Sequence, residues 1–311
     1  VWFAVFLLLT AAVVFIGVQK GIEKASTILM PILIILIVCI SIFCATRPGA
    51  LAGVKYYLLP DIKHFSATTV LAAMGQLFYS MSLAMGIMIT YGSYMKKEDD
   101  LRDSVRKIEI FDTVVALLAG LMIVPSVFAF SGGSKEALSK GPSLMFVTMP
   151  KVFNSMKIGS LIGAGFFILV LFAALTSAIS LLETNVSIIC DKLHWSRKKS
   201  TVVATLYCLI VGGLISLGYG PLSFIKIIGM NLLDFFDFIS NSVLMPIVAM
   251  LTCIFIGYIV KPKTIIDEVE LGGKTFKEKK FYVVMLKYVA PVCLLLILLF
   301  AVSEALGLIK V

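Results

Sequence analysis

The chain has 311 residues, of which 60% are hydrophobic and only 14% charged, and its mean hydropathy is +1.05. Soluble domains sit nearer 45–50% apolar and about 25% charged, so this composition excludes a soluble globular fold and predicts membrane insertion. The formal charge of +9 does not make it a nucleic-acid binder, because the basic residues lie in short loops and form no basic face with interleaved aromatics.

Eight hydrophobic segments follow one another at 1–18, 26–45, 67–94, 109–130, 158–190, 201–217, 232–260 and 281–307. Runs of roughly 20 apolar residues match a helix crossing a hydrocarbon core about 30 Å thick. The loops after the first, third, fifth and seventh segments hold about twice the Lys and Arg of the others, including Lys96, Arg102, Lys107, Lys192, Arg197 and Lys261. The positive-inside rule puts those loops in the cytoplasm and makes the chain start and end on the extracytoplasmic side of the cell (inner) membrane. The first segment would then run inward from Val1, with neither an initiator Met nor a signal peptide before it. An odd number of upstream spans is therefore expected, and the chain reads as a fragment.

The outer loop 131–157 mixes Gly and Pro with Leu144, Met145, Phe146 and Val147. A long loop with such apolar groups is expected to fold back on the protein, or to stand as a surface hairpin. The six cysteines lie in or beside apolar runs, form no C-x-x-C pair and read as small packing residues.

Polar residues inside the spans are the informative ones. Residues 67–94 as one helix would run about 42 Å, longer than the hydrocarbon is thick. Its middle carries Gly75, Gln76, Ser80, Ser82, Ala84 and Gly86. Serines two apart cannot share a helix face, and an unwound stretch would free backbone groups to line a cavity. Close helix packing by small residues, with each hydroxyl bonded back one turn, accounts for the pattern as well. The fifth segment repeats the theme with Ala173, Thr176, Ser177 and Ser180. Hydroxyl and carbonyl oxygens are what a hard cation prefers, by extension from calcium and magnesium.

Glu183 and Asp112 are ionisable groups at or near membrane depth, which default to functional hypotheses. Asp112 could equally sit near the cytoplasmic end of its segment. Asp234 and Asp237 share a face at the outer end of the seventh segment and read as solvated. Gly218-Tyr219-Gly220 resembles the end of a potassium filter but lacks the preceding Thr-Val, and reads as a turn. No zincin, nucleophile-elbow or P-loop motif occurs, and the two histidines, His64 and His194, fall in loops on opposite sides. No enzyme is expected.

The stretch Gly75 to Gly86 (GQLFYSMSLAMG), followed by Ile89 to Tyr94 (ITYGSY), resembles the sixth helix of the neurotransmitter:sodium symporter family. Gly17 to Pro31 resembles that family's fourth-to-fifth helix junction, Asp112 to Pro125 its seventh helix, and Ala173 to Ser177 its eighth. The resemblance spans nearly the whole chain in order, and is nearest to short-looped bacterial members. It implies an all-α membrane protein with eight transmembrane helices of a leucine-transporter-like inverted-repeat bundle. Residues 1–46 would be helices 4–5 of a truncated first repeat, 67–260 the complete second repeat (helices 6–10), and 281–307 helix 11.

The same resemblance implies roles. Tyr79, Ser80, Ser82 and Met85 would line the substrate site, with Ser177 and Leu181 opposite. Ser80 and Asp112 would hold one sodium ion. The Ala173 carbonyl and the Thr176 and Ser177 hydroxyls would hold a second. Gln76 and Asp237 match outer gate positions, with Asp234 a rival one turn away, and Asp191 and Tyr94 match inner ones. Met85 stands where a phenylalanine is familiar, which alters the pocket. Asp112 replaces a neutral ligand, and its carboxylate could supply the charge that chloride gives in animal members, so chloride is not expected to be required. The implied activity is sodium-coupled import of a neutral, hydrophobic amino acid by alternating access. Proton coupling through Glu183 or Asp112, another solute, or a non-transporting membrane scaffold are the alternatives. The partners implied are the amino acid, sodium and the lipid bilayer.

Overall fold

The computed structural model describes residues 1–133, 143–156, 158–271 and 275–305. Part of the outer loop (134–142 and 157), with its Lys135, Lys140 and Lys157, lies outside the described residues, as do Lys274 and the last two residues of the eighth segment. Among the described residues every regular element is helical, apart from one isolated bridge between Ile227 and Met230. A chain with this many apolar residues has no water to satisfy its peptide groups, and the helix satisfies them internally.

In chain order the helices are α1 (Trp2–Ile16), α2 (Val18–Ala45), α3 (Ala50–Leu58), α4 (Ala67–Ser80), α5 (Ile87–Gly92) and α6 (Leu101–Ser131). They continue with α7 (Met149–Asn154), α8 (Gly159–Leu193), α9 (Arg197–Leu217), α10 (Leu232–Val260), α11 (Pro262–Val269) and α12 (Lys279–Ala305). Six of these, α2, α6, α8, α9, α10 and α12, are long and apolar enough to cross a membrane. The first hydrophobic segment forms the shorter apolar helix α1, and the third is divided between α4 and α5. On α9, Leu206, Ile210 and Leu214 recur every fourth residue and are more than half exposed, an apolar stripe of the kind a bilayer covers. The glycine-rich stretch 218–220 is a turn after α9.

The chain divides into two compact units. One comprises Leu9–Phe65 and Ile110–Ser180. Its core brings Leu33, Ile37 and Ile40 of α2 together with Met122 and Val127 of α6, Phe153 of α7 and Phe166 of α8. Gly53 of α3 lets that helix lie directly on α6, because a Cβ there would come within 2.7 Å of Pro125 Cα. Polar groups inside are matched locally: Ser41 Oγ donates to the Leu118 carbonyl at 2.7 Å, and Ser126 Oγ to that of Met122 at 2.6 Å. The described part of the outer loop returns to this core through buried Met149, Val152 and Phe153. Phe146 and Val147 stay exposed.

The other unit comprises Val1–Leu8, Ser66–Glu109 and Leu181–Val311. Here α12 packs along α10 and also against α4, with Met245, Ala249, Leu294 and Ile297 buried. Both α10 and α12 contain wider π-helical turns, at Phe238–Leu244, Phe255–Val260 and Met285–Val289. Such turns insert a residue into the ladder and are frequent at functional positions.

Candidate functional site

The third hydrophobic segment is interrupted at residues 81–86. Helix α4 ends at Ser80, α5 starts at Ile87, and the chain between them passes through positive φ at Ser82 (54°), Ala84 (61°) and Gly86 (78°). No right-handed helix tolerates that alternation, so the regular ladder ends here, with the Met81, Ser82 and Leu83 N–H groups closing onto the carbonyls of Leu77, Tyr79 and Phe78. Left-handed backbone costs about 1–2 kcal/mol at each of the two non-glycine residues, and such strain persists where surroundings impose it. At Gly86 the imposition is visible. A Cβ there would lie 2.8 Å from Thr184 Cγ2, so the break is pressed against α8 one turn past Leu181. Ser80, Ser82 and Met85 are half-buried along it, while Tyr79 is exposed.

Helix α8 is continuous for 35 residues. Ala173, Thr176 and Ser177 stand at i, i+3 and i+4, so one face carries a carbonyl and two hydroxyls. Thr176 Oγ1 donates to the carbonyls of Phe172 (3.1 Å) and Ala173 (3.0 Å), and Ser180 Oγ donates to the Thr176 carbonyl at 3.1 Å. Back-bonding uses the hydroxyl proton and leaves its oxygen lone pairs free for a cation. One helix supplies three oxygens, fewer than the six or more around a hard cation, so other elements must complete the shell. Ala174, Ser177, Leu181, Asn185 and Ile188 form an exposed stripe along α8, opposite buried Ile179, Leu182, Glu183 and Val186. Ser177 and Leu181 thus share an open face. Asp112 is half-buried about 16 Å along α6 from its start, in the unit that also holds Ala173, Thr176 and Ser177. Ser80 belongs to the other unit.

Gln76, Tyr79 and Asp237 meet in one cavity of about 480 Å³ framed by α4, α10 and α12. Asn241, Ser242 and Glu304 add polar atoms, and Ile297 and Phe300 add apolar wall. Asn241 Nδ2 donates to Asp237 Oδ1 at 2.6 Å across the wide turn of α10. Asp234 is engaged instead in capping that helix, through Asn231, at 2.7 and 2.9 Å. Of the two acids one turn apart, Asp237 lines the cavity.

Further along α8, past Ser177 and Leu181, the fully buried Glu183 receives a hydrogen bond from Tyr94 Oη at 2.6 Å and a two-pronged ion pair from Arg197. Arg197 opens α9 and is itself about a third exposed. A carboxylate buried this deeply persists only when it is paired and hydrogen-bonded. Asp191, which with Tyr94 was matched to an inner gate position, is exposed near the end of α8. Arg197 was legible only as one of several loop cations. The signal that could have found it is the unpaired acid at Glu183, which demands a guanidinium within reach.

A family model described as the sodium:neurotransmitter symporter family matches residues 2–308. An uncharacterised sodium-dependent transporter of Bacillus subtilis, YhdH, is 37% identical over 298 residues, covering 95% of this chain and 65% of the relative. A second uncharacterised sodium-dependent transporter, from Haemophilus influenzae, is 32% identical over 289 residues, 93% of this chain and 61% of its own length. The solved structure of MhsT in complex with L-phenylalanine shares the fold with a TM-score of 0.85 at 37% identity, covering 96% of this chain and 67% of that one. The chain thus spans 61% to 67% of the length of these relatives.

Proposed function

The chain belongs to the sodium:neurotransmitter symporter family, and from that premise we propose that it carries part of the ion and substrate machinery of a sodium-coupled importer of neutral, hydrophobic amino acids. The observation that carries this reading is the interruption of the third segment at residues 81–86, at the depth where an unbroken helix would offer no peptide groups. The carbonyl end of α4 bears partial negative charge, which favours a cation or a substrate ammonium beside Ser80. In this reading Tyr79, Ser80, Ser82 and Met85 form one wall of the substrate pocket, and the open face of α8 at Ser177 and Leu181 forms the other. MhsT was solved with L-phenylalanine, which supports an apolar amino acid as cargo.

Sodium, as co-transported cargo, takes the Ala173 carbonyl and the Thr176 and Ser177 hydroxyls at one site, and Ser80 with Asp112 at the other. The Asp112 carboxylate takes the place of the chloride charge at its site, so transport needs no chloride. The cavity between Gln76 and Asp237 is the outer approach. The Tyr94–Glu183–Arg197 cluster is the inner latch, and Asp191 is a further inner gate residue.

A thermal-shift screen of all amino acids on the complete transporter, with and without sodium at constant pH, tests this. Ligands that bind the folded state raise its apparent stability. L-Phenylalanine and other apolar amino acids are expected to stabilise only when sodium is present. Stabilisation that follows pH and ignores sodium would reassign the coupling ion. Asp112→Asn is expected to lose activity in chloride-free medium; equal transport there would remove the chloride argument.

A further inference from the structure

The basic residues at the end shared by α10 and α12 are only partly used in ion pairs. Lys279 reaches Glu270 at 2.6 Å, and Arg102 reaches Glu278 at 2.6 Å. Lys261, Lys263, Lys280 and Lys287 have no carboxylate partner among the described residues. Lys287 is the unusual one. It lies about 12 Å inside α12, within the wide turn Met285–Val289, where a lysine facing hydrocarbon is costly.

The surroundings hold its side chain in one place. Its Nζ sits 5.2 Å from the ring centroid of Tyr258 on α10. The Tyr258 hydroxyl donates to the Lys287 carbonyl at 3.2 Å. Gly257 makes the approach possible, since a Cβ there would already touch Lys287 Cγ at 3.3 Å. A cation over an aromatic face is attracted by the ring quadrupole, but the ring supplies no counter-charge. Lys280, seven residues earlier, falls on nearly the same face of α12, two turns nearer the helix start. Around both, Phe281, Tyr288 and Tyr258 are more than half exposed. The corner therefore presents two unneutralised ammonium groups bordered by open aromatic faces, at the boundary of two membrane spans.

We propose that this corner is a docking site for an anionic phospholipid, its phosphate between Lys280 and Lys287 and its glycerol and upper acyl chains against Phe281, Tyr258 and Tyr288. The charge complements the lysines, and the exposed rings sit where amphipathic aromatics meet headgroups. A lysine near an anionic membrane surface strengthens association about five-fold. The site rests on the membrane-spanning reading and is independent of what is transported.

Native mass spectrometry of the delipidated complete transporter, titrated with phosphatidylglycerol or with phosphatidylcholine of the same chains, reads it directly. Phosphatidylglycerol is expected to give a saturable bound species at concentrations where phosphatidylcholine gives none. Lys280→Gln should weaken it about five-fold and Lys280→Gln with Lys287→Gln more than ten-fold. Tyr258→Phe, which keeps the ring, should change it little, while Lys20→Gln on α2 should not change it at all. Equal binding of the two lipids, an unchanged affinity in Lys280→Gln, or an equal loss in Lys20→Gln would overturn the proposal. So would displacement of the lipid by inorganic phosphate at millimolar concentration, which would make this a phosphate site. Should the double variant fail to fold, Lys280→Gln alone decides, because its side chain is exposed.

Discussion

The α4–α5 break and helix α8 both bring oxygens to membrane depth, and they do it by opposite means. The first leaves the regular helical ladder after Met81, with the Ser82 and Leu83 N–H groups folded back on the Tyr79 and Phe78 carbonyls, and offers backbone at the expense of left-handed φ at Ser82 and Ala84. The second stays helical throughout and offers Thr176 and Ser177 side chains, each keeping its fold while doing so. A backbone site is therefore vulnerable through its conformation, at Gly86 above all. A side-chain site is vulnerable only through the identity of two residues. The two regions also differ in what anchors them, since α8 continues into the buried Glu183 ion pair whereas the break is held by contact with Thr184.

The largest expected effect tests that anchor. Arg197→Ala leaves Glu183 buried without its cation and should destabilise the protein by about 3–5 kcal/mol, read as a lower unfolding midpoint in detergent. Tyr94→Phe removes one hydrogen bond to a charged group and should cost about 1.5–3 kcal/mol. If the two substitutions cost the same, the ion pair is not what anchors this part of α8.

A second pair separates conformation from chemistry at the break. Gly86→Ala forces a Cβ into left-handed backbone and into Thr184, and should cost at least about 1–2 kcal/mol together with loss of ligand binding. Ala84→Gly relieves the same strain two residues earlier and should be neutral or stabilising by up to about 1 kcal/mol. A continuous helix would give the reverse pair of signs, Gly86→Ala stabilising and Ala84→Gly destabilising.

Much of this was legible from residue types. The long third segment with Ser80, Ser82 and Gly86 in its middle left an interruption and close helix packing both open, and residues 81–86 are where α4 gives way to α5. Its exact form was not legible, because Ala84 has no intrinsic reason to adopt positive φ and does so under tertiary constraint. Composition and the apolar runs predicted membrane insertion, the resemblance implied an all-α bundle, and six helices among the described residues are long and apolar enough to cross a membrane. Charged residues at 101–107 read as loop, yet α6 begins at Leu101, since Arg, Lys and Glu are good helix formers outside the bilayer. Asp234 and Asp237 were indistinguishable by spacing, and only the capping role of Asn231 separated them. Arg197 was hidden for the same reason, as its partner is fourteen residues away around a turn.

The smallest expected effect concerns a loop far from both regions. Lys279 beside Glu270, with the Phe276 N–H, holds that carboxyl below its ordinary value of 4.5. A depressed carboxyl contributes stability above its unfolded value, and the contribution fades as pH falls through the folded one. Glu270→Gln should therefore leave the unfolding midpoint slightly lower near neutral pH and converge with the parent as the pH falls through the depressed folded value. A difference that grows on acidification would contradict the pairing.

The sodium dependence of labelled L-phenylalanine binding to the complete transporter, measured for the parent and for Thr176→Val, goes to the centre of the account. Valine keeps the branched shape and removes only the hydroxyl. The expected result is sodium-dependent binding in the parent and a shift of about ten-fold or more to higher sodium in the variant, with the unfolding midpoint nearly unchanged in the absence of sodium. Superimposable sodium curves for the two proteins would show that the α8 oxygens hold no cation, and would contradict the proposed site.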